Sequence, residues 1–172
     1  MRITFIAPAS RSGGNRVIGI YARGLQQRGH DVQVVSPAPR GRRVKETVGL
    51  IVRGRWWHLR QPVGTAARLA GVTHRILDHA GPVTAADVPD ADVVVATWWQ
   101  TAPWVAALPS SKGAKAYFMQ DYGVQGQRLE QIVPTWSLPL HVITISQWLH
   151  DLVLSNVPGP VDLVPNSVDH AL

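Results

Sequence analysis

The chain has 172 residues, of which 45% are hydrophobic and 16% charged; this balance supports a sizeable buried core and excludes a disordered or fibrous chain. It contains no cysteine, which excludes disulfides and thiolate chemistry. Its net charge of +6 is uneven, with 14 Lys/Arg against 3 Asp/Glu in residues 1–86 and 3 against 8 in residues 87–172, so the basic half fits either an anionic partner or a solvated arginine-rich face.

In chain order, "RITFIAP" reads as a strand ending at Pro8. Its apolar run is too short for a secretory leader, and the expected location is cytoplasmic. "SRSGG" is a loop. From Asn15, apolar residues recur at Val17, Ile18, Tyr21, Ala22 and Leu25, the spacing of a helix that Gly29 would cap. "DVQVVSP" is a second strand, which completes a βαβ unit and signals a parallel sheet. "APRGRRVKE" is a basic loop, and "TVGLIVRG" with "RWWHLR" suggests a short β-excursion around Gly54. "TAARLAGVTHRILDHA" has helical spacing and ends at Gly81-Pro82.

"ADVVVATWW" is a strand without alternation, as expected for one buried on both faces. "KAYFMQD" follows as a strand, "QGQRLEQIV" as a short helix and "LHVITIS" as a strand. "SQWLHDLVLSNV" is a helix with Ser146 as its N-cap, and "VDLVPNSVD" is a last strand and turn. Val93–Ser111 and Ile132–His150 are uncharged and nearly long enough for a membrane span. Gln100, Pro103 and Pro109 interrupt the first, and Pro134 and Pro139 the second. The expected fold is α/β: a doubly wound, mainly parallel sheet.

Such sheets bind ligands beyond the C-terminal ends of their strands. Here those ends bring "SGGN", "TWWQ", "QDYG" and "SQW" to one rim. Gly13 and Gly14 let a ligand approach the backbone where a helix N-terminus favours an anion, with Arg11 and Arg16 adding charge. The glycines are adjacent, so this is not GxGxxG. Gly14 and Gly19 have P-loop spacing, but Ile20 and Tyr21 stand where Lys and Ser/Thr are required.

"TWWQTAPW" offers indoles and a side-chain amide on which a sugar can stack and hydrogen-bond. Trp98 and Trp99 are adjacent and cannot both face one way in a strand, so one is expected in the core and one at the rim; Trp104 is expected in the core. Asp121, flanked by Gln120 and Tyr122, is either a hydroxyl acceptor and base or a turn cap. The seven histidines are scattered and no HExxH or GxSxG occurs, so neither a metal site nor a Ser-His-Asp triad is expected. "ARLAGVTHRIL" has the look of a helix-turn-helix, although one crossover helix explains it more simply.

"GGNRVIGIYARGLQQRGHDVQVVSP" resembles the opening of retaining GT-B glycosyltransferases of family 4. "YFMQDYG", "ITISQWLHDLV" and "VDLVPNSVD" resemble later landmarks of a rhamnosyltransferase-like subgroup, in the same order. The resemblance spans essentially the whole chain, 1–172. It implies the N-terminal, acceptor-binding half of a two-domain enzyme, the nucleotide-sugar domain lying outside this chain and supplied in cis or in trans. This chain alone would then not transfer sugar efficiently. Two departures stand out: Gly123 occupies the place of a glutamate common in the subgroup, and no histidine lies at the strand end formed by Thr97-Trp98-Trp99.

On this resemblance Gly13, Gly14, Asn15 and Arg16 would meet the donor's phosphate or sugar. Trp98, Trp99, Gln100, Gln120, Asp121 and Tyr122 would take the acceptor, with Asp121 as the candidate catalytic residue. Ser146 and Asn166 would border the interdomain cleft. The expected partners are a nucleotide-sugar donor, as co-substrate, and a saccharide acceptor; neither a cofactor nor a metal is expected. The basic half leaves peripheral association with the inner face of the membrane open. A non-catalytic carbohydrate-binding or assembly module is the alternative, and a DNA-binding protein a remote one.

Overall fold

Runs rich in valine, isoleucine and phenylalanine favour extended backbone, and here they pair into one sheet. The computed structural model describes residues 1–8, 13–39, 71–122, 129–157 and 159–166, together with Val52. The strands are β1 (Arg2–Ile6), β2 (Asp31–Ser36), β3 (Thr73–Ile76), β4 (Val93–Ala96), β5 (Ala114–Met119), β6 (His141–Thr144) and β7 (Val161–Leu163). Their spatial order is β3-β2-β1-β4-β5-β6-β7, and every neighbouring pair is parallel. The sheet is therefore wholly parallel, and its order reverses direction between β1 and β4, as in Rossmann-like folds.

Alternation along each strand feeds two cores. On one face Ile3, Phe5, Val32, Val34, Val95 and Phe118 pack with Ile18 and Ala22 of helix α1 (Gly13–Gln27). On the other, Ile6, Val94, Ala96, Tyr117 and Met119 meet helices α2 (Thr101–Ala107), α3 (Leu129–Trp136) and α4 (Gln147–Leu154) through Val105, Ile132, Trp136, Leu149 and Val153. The half-buried Trp104 packs against this second core, on the side expected for it. Val94, Val95 and Ala96 are all buried, as a strand covered on both faces requires.

Two glycines close turns at positive φ. Gly29 (φ 83°) ends the turn after α1, its N–H donating to Gln26 O at 2.9 Å and that of His30 to Leu25 O at 3.1 Å. Gly113 (φ 95°) follows the 3-10 turn Ser110–Lys112 and lies against the backbone of Asp92, where a Cβ would come within 2.5 Å of the Asp92 carbonyl.

The helix expected over 65–80 is corrected. Residues 65–70 lie outside the described residues, and 71–80 hold no helix. Gly71 adopts φ 82°, and Thr73–Ile76 pairs with β2 in the register Gln33↔Thr73 to Ser36↔Ile76. An edge strand carries little buried area, so its exposed Ile76 mimicked a helical stripe. The same finding removes the helix-turn-helix reading, whose second helix is strand β3. The expected strand "ADVVVATWW" stops at Ala96, and the helix expected over 125–133 begins among described residues at Leu129 and runs through Pro134 to Trp136. Proline removes one helical N–H, but burial of Ile132 and Trp136 holds this helix to the sheet. The basic loop and the β-excursion over 40–60 lie outside the described residues, Val52 excepted.

Candidate functional site

The switch point between β1 and β4 opens a cleft of about 410 Å³, lined by Pro8, Gly13, Gly14, Asn15, Ile18, Thr97, Trp98, Trp99, Tyr117, Gln120 and Asp121. Its size is that of a small-ligand pocket. It lies beyond the ends of β1, β4 and β5, where two outgoing connections part to opposite faces of the sheet. Of the residues expected at a ligand site, the fold brings together Gly13, Gly14, Asn15, Trp98, Trp99, Gln120 and Asp121. Arg16, Gln100, Tyr122, Ser146 and Asn166 are outside this lining.

The β1 side is built by α1. Asn15 is buried, and its side-chain amide donates to Pro8 O at 2.8 Å, tying the helix start to the end of β1. Gly14 faces Gln120 across the cleft, and a Cβ at Gly14 would lie 3.2 Å from Gln120 Oε1. The glycine therefore gives the carboxamide its room beside the first turn of α1.

The β4 side depends on Thr101, which is fully buried. Its hydroxyl accepts from the N–H of Thr97 (3.2 Å) and of Trp98 (3.1 Å) and donates to Trp98 O (2.8 Å). Thr97 is pinned in turn to β1, its hydroxyl donating to Ile6 O at 3.0 Å. Because β4 has ended, Trp98 and Trp99 occupy a turn and strand alternation does not separate them. Both line the cleft, with ring centroids 5.6 Å apart and planes at 64°. The two indoles thus form an edge-to-face pair. Trp99 also packs against the core, and its Nε1 is buried without a hydrogen-bond partner, an arrangement that costs about 1–3 kcal/mol.

The β5 side adds Tyr117, almost wholly buried. Burial pushes its phenol well above the usual value; a hydrogen bond with Thr135 offsets part of the rise, and the Asp121 charge adds to it. The phenol is therefore neutral at any physiological pH. Beyond the cleft, Tyr122 turns toward Trp148, edge to face at 5.5 Å. Ser146 is the N-cap of α4 but makes no side-chain capping bond. Asn166 N–H reaches Ile145 O at 3.4 Å, which puts both residues at the far end of β6.

Thr101 and Tyr117 did not stand out in the sequence. A threonine four residues after Thr97 carries no motif, although a tyrosine three residues before "QD" in a buried strand does place a phenol beside the strand's end. Among the described residues, no group of three His, Cys, Asp or Glu is placed to hold a metal, and no helix is long and apolar enough to cross a membrane.

The family model described as Glycosyltransferase Family 4 matches residues 11–172. No curated protein matches the chain.

Proposed function

Because the chain belongs to glycosyltransferase family 4, we propose that its cleft holds the hydroxyl-bearing acceptor of a glycosyl transfer from a nucleotide-sugar. The observation that carries this reading is the composition of the cleft. Two tryptophans stand edge to face at the switch point, in a lining they share with a carboxamide and a carboxylate, Gln120 and Asp121. Indole faces take the C–H face of a pyranose, while the amide and the acid take its hydroxyls. Gly13 and Gly14, at the start of α1, would offer backbone N–H groups to the donor's phosphate.

In the proposed retaining transfer, the bond from the donor's anomeric carbon to the phosphate oxygen breaks and a bond to the acceptor oxygen forms on the same face. The leaving phosphate takes the acceptor's proton, so no protein base is required. Asp121 then accepts a hydrogen bond from the acceptor hydroxyl and orients it. No histidine is required at Trp98-Trp99.

Calorimetric titration of the chain with saccharides and, separately, with UDP-, dTDP- and GDP-sugars tests the division of labour. Saccharide binding that falls in Trp98→Ala, Trp99→Ala and Asp121→Asn is the expected result. Tight nucleotide-sugar binding that none of the three substitutions alters would refute the acceptor assignment.

A further inference from the structure

Tyr122 and Trp148 form an aromatic shelf. Tyr122 follows Asp121, which lines the cleft, and packs against the core. Its ring meets that of Trp148 with centroids 5.5 Å apart and planes at 75°. Trp148 stands in the first turn of α4 and keeps 54% of its surface exposed; no other aromatic side chain among the described residues is exposed in this way. The core-packed phenol in contact with it restrains the indole.

We propose that Trp148, held by Tyr122, is a second saccharide subsite that takes the sugar ring next to the one in the cleft. The proposal rests on the acceptor reading of the cleft. The chemistry of the shelf favours a sugar over a protein partner. The shelf is one indole wide, whereas a stable protein interface covers roughly 800 Å² per partner. A pyranose presents a C–H face that matches a single indole. The subsite would make the enzyme select acceptors with at least two rings.

The test is a printed array of mono-, di- and trisaccharides probed with the full chain, its Trp148→Ala and Trp148→Phe variants, and a thermal melt of each. Trp148 is exposed, so both variants should melt with the wild type. For the sugars retained, the wild type should hold the two-ring glycan about tenfold more tightly than its one-ring counterpart. Trp148→Ala should abolish that increment and leave one-ring binding unchanged, while Trp148→Phe keeps most of it. An increment that survives in Trp148→Ala overturns the subsite. So does an equal loss for one- and two-ring glycans, which would assign the indole to the first ring. A wild type that retains no glycan overturns the cleft reading itself, and the shelf with it.

Discussion

Replacing Thr101 with valine tests whether the tryptophan turn is held by one hydroxyl. Valine keeps the branched shape of threonine and puts a methyl group in place of the hydroxyl. In the native protein that oxygen serves three bonds, to Thr97 N, Trp98 N and Trp98 O, at 3.2, 3.1 and 2.8 Å. Two of the three backbone groups have other partners. Thr97 N–H also donates to Ile6 O at 3.2 Å, and Trp98 O still accepts from Thr101 N at 2.9 Å and from Ala102 N at 3.1 Å. Trp98 N–H is the group the substitution strands. A lost hydrogen bond costs about 1 kcal/mol and a stranded, partly buried N–H about 1–3 kcal/mol, giving roughly 2–4 kcal/mol in all. For a chain of this size that lowers Tm by roughly 4–16 °C in a circular-dichroism melt. Thr101→Ser keeps the oxygen and loses one methyl, for about 1 kcal/mol. Saccharide binding should fall in the valine variant and persist in the serine variant, because only the first releases the indoles. A valine variant within about 0.5 kcal/mol of wild type, or a serine variant no better than valine, would show that the turn does not need the hydroxyl.

Gly14→Ala should leave Tm unchanged or raise it by the helix preference of alanine, about 1 kcal/mol, while weakening saccharide binding as its Cβ presses on Gln120, 3.2 Å away; combined with Gln120→Ala it should weaken binding no further than Gln120→Ala alone. Gly113→Ala should be far more costly in urea unfolding, by roughly 2–5 kcal/mol, since a positive φ and a clash with backbone add. Gly29→Ala should cost only about 1–2 kcal/mol, because its φ is also positive but no atom lies within 4 Å of the added Cβ. Asp87 is held below the usual carboxylate range: burial pushes it up, but hydrogen bonds from Thr84 N–H, Thr84 Oγ1 and His79 outweigh that. A depressed carboxylate stabilises the fold above its unfolded pKa of about 4, and that contribution is lost as pH falls through the lower folded value. Asp87→Asn should therefore be destabilised at pH 7, with the gap closing in melts below about pH 4; a gap independent of pH would refute this.

The parallel sheet was legible because its central strands had no choice of environment. "VVVA" and "YFM" are apolar at every position, and only burial on both faces tolerates that. β3 was not legible, for the complementary reason. It lies at the sheet edge, where Ile76 is exposed and His74 is only half-buried, so its side chains report little about the backbone. What makes it a strand is the positive φ of Gly71 and pairing with β2, and neither leaves a periodic trace. Pro134 misled in the other direction. A proline is costly in an isolated helix, but α3 is held by Ile132 and Trp136 against the second core.

The site divides along the same line. Residues that follow directly from a strand's end, such as Gln120 and Asp121, reach the cleft because the end of β5 was placed correctly. Tyr122, one residue further, does not line it, since its ring turns to Trp148. The tryptophans show why adjacency in sequence was the wrong guide. Alternation separates neighbours only while the backbone stays extended, and β4 stops at Ala96 where Thr101 folds the chain back on Trp98. Three hydrogen bonds to one hydroxyl thus hold two indoles at one cleft, of which Trp99 also packs against the core. With Trp148 beyond Tyr122, the chain presents indoles along one rim in two steps. On the proposed reading, the inner pair defines where a first ring lies, and the outer one whether a second ring is felt. Loss of the inner pair should therefore abolish all saccharide binding, whereas loss of Trp148 should remove only the dependence on length.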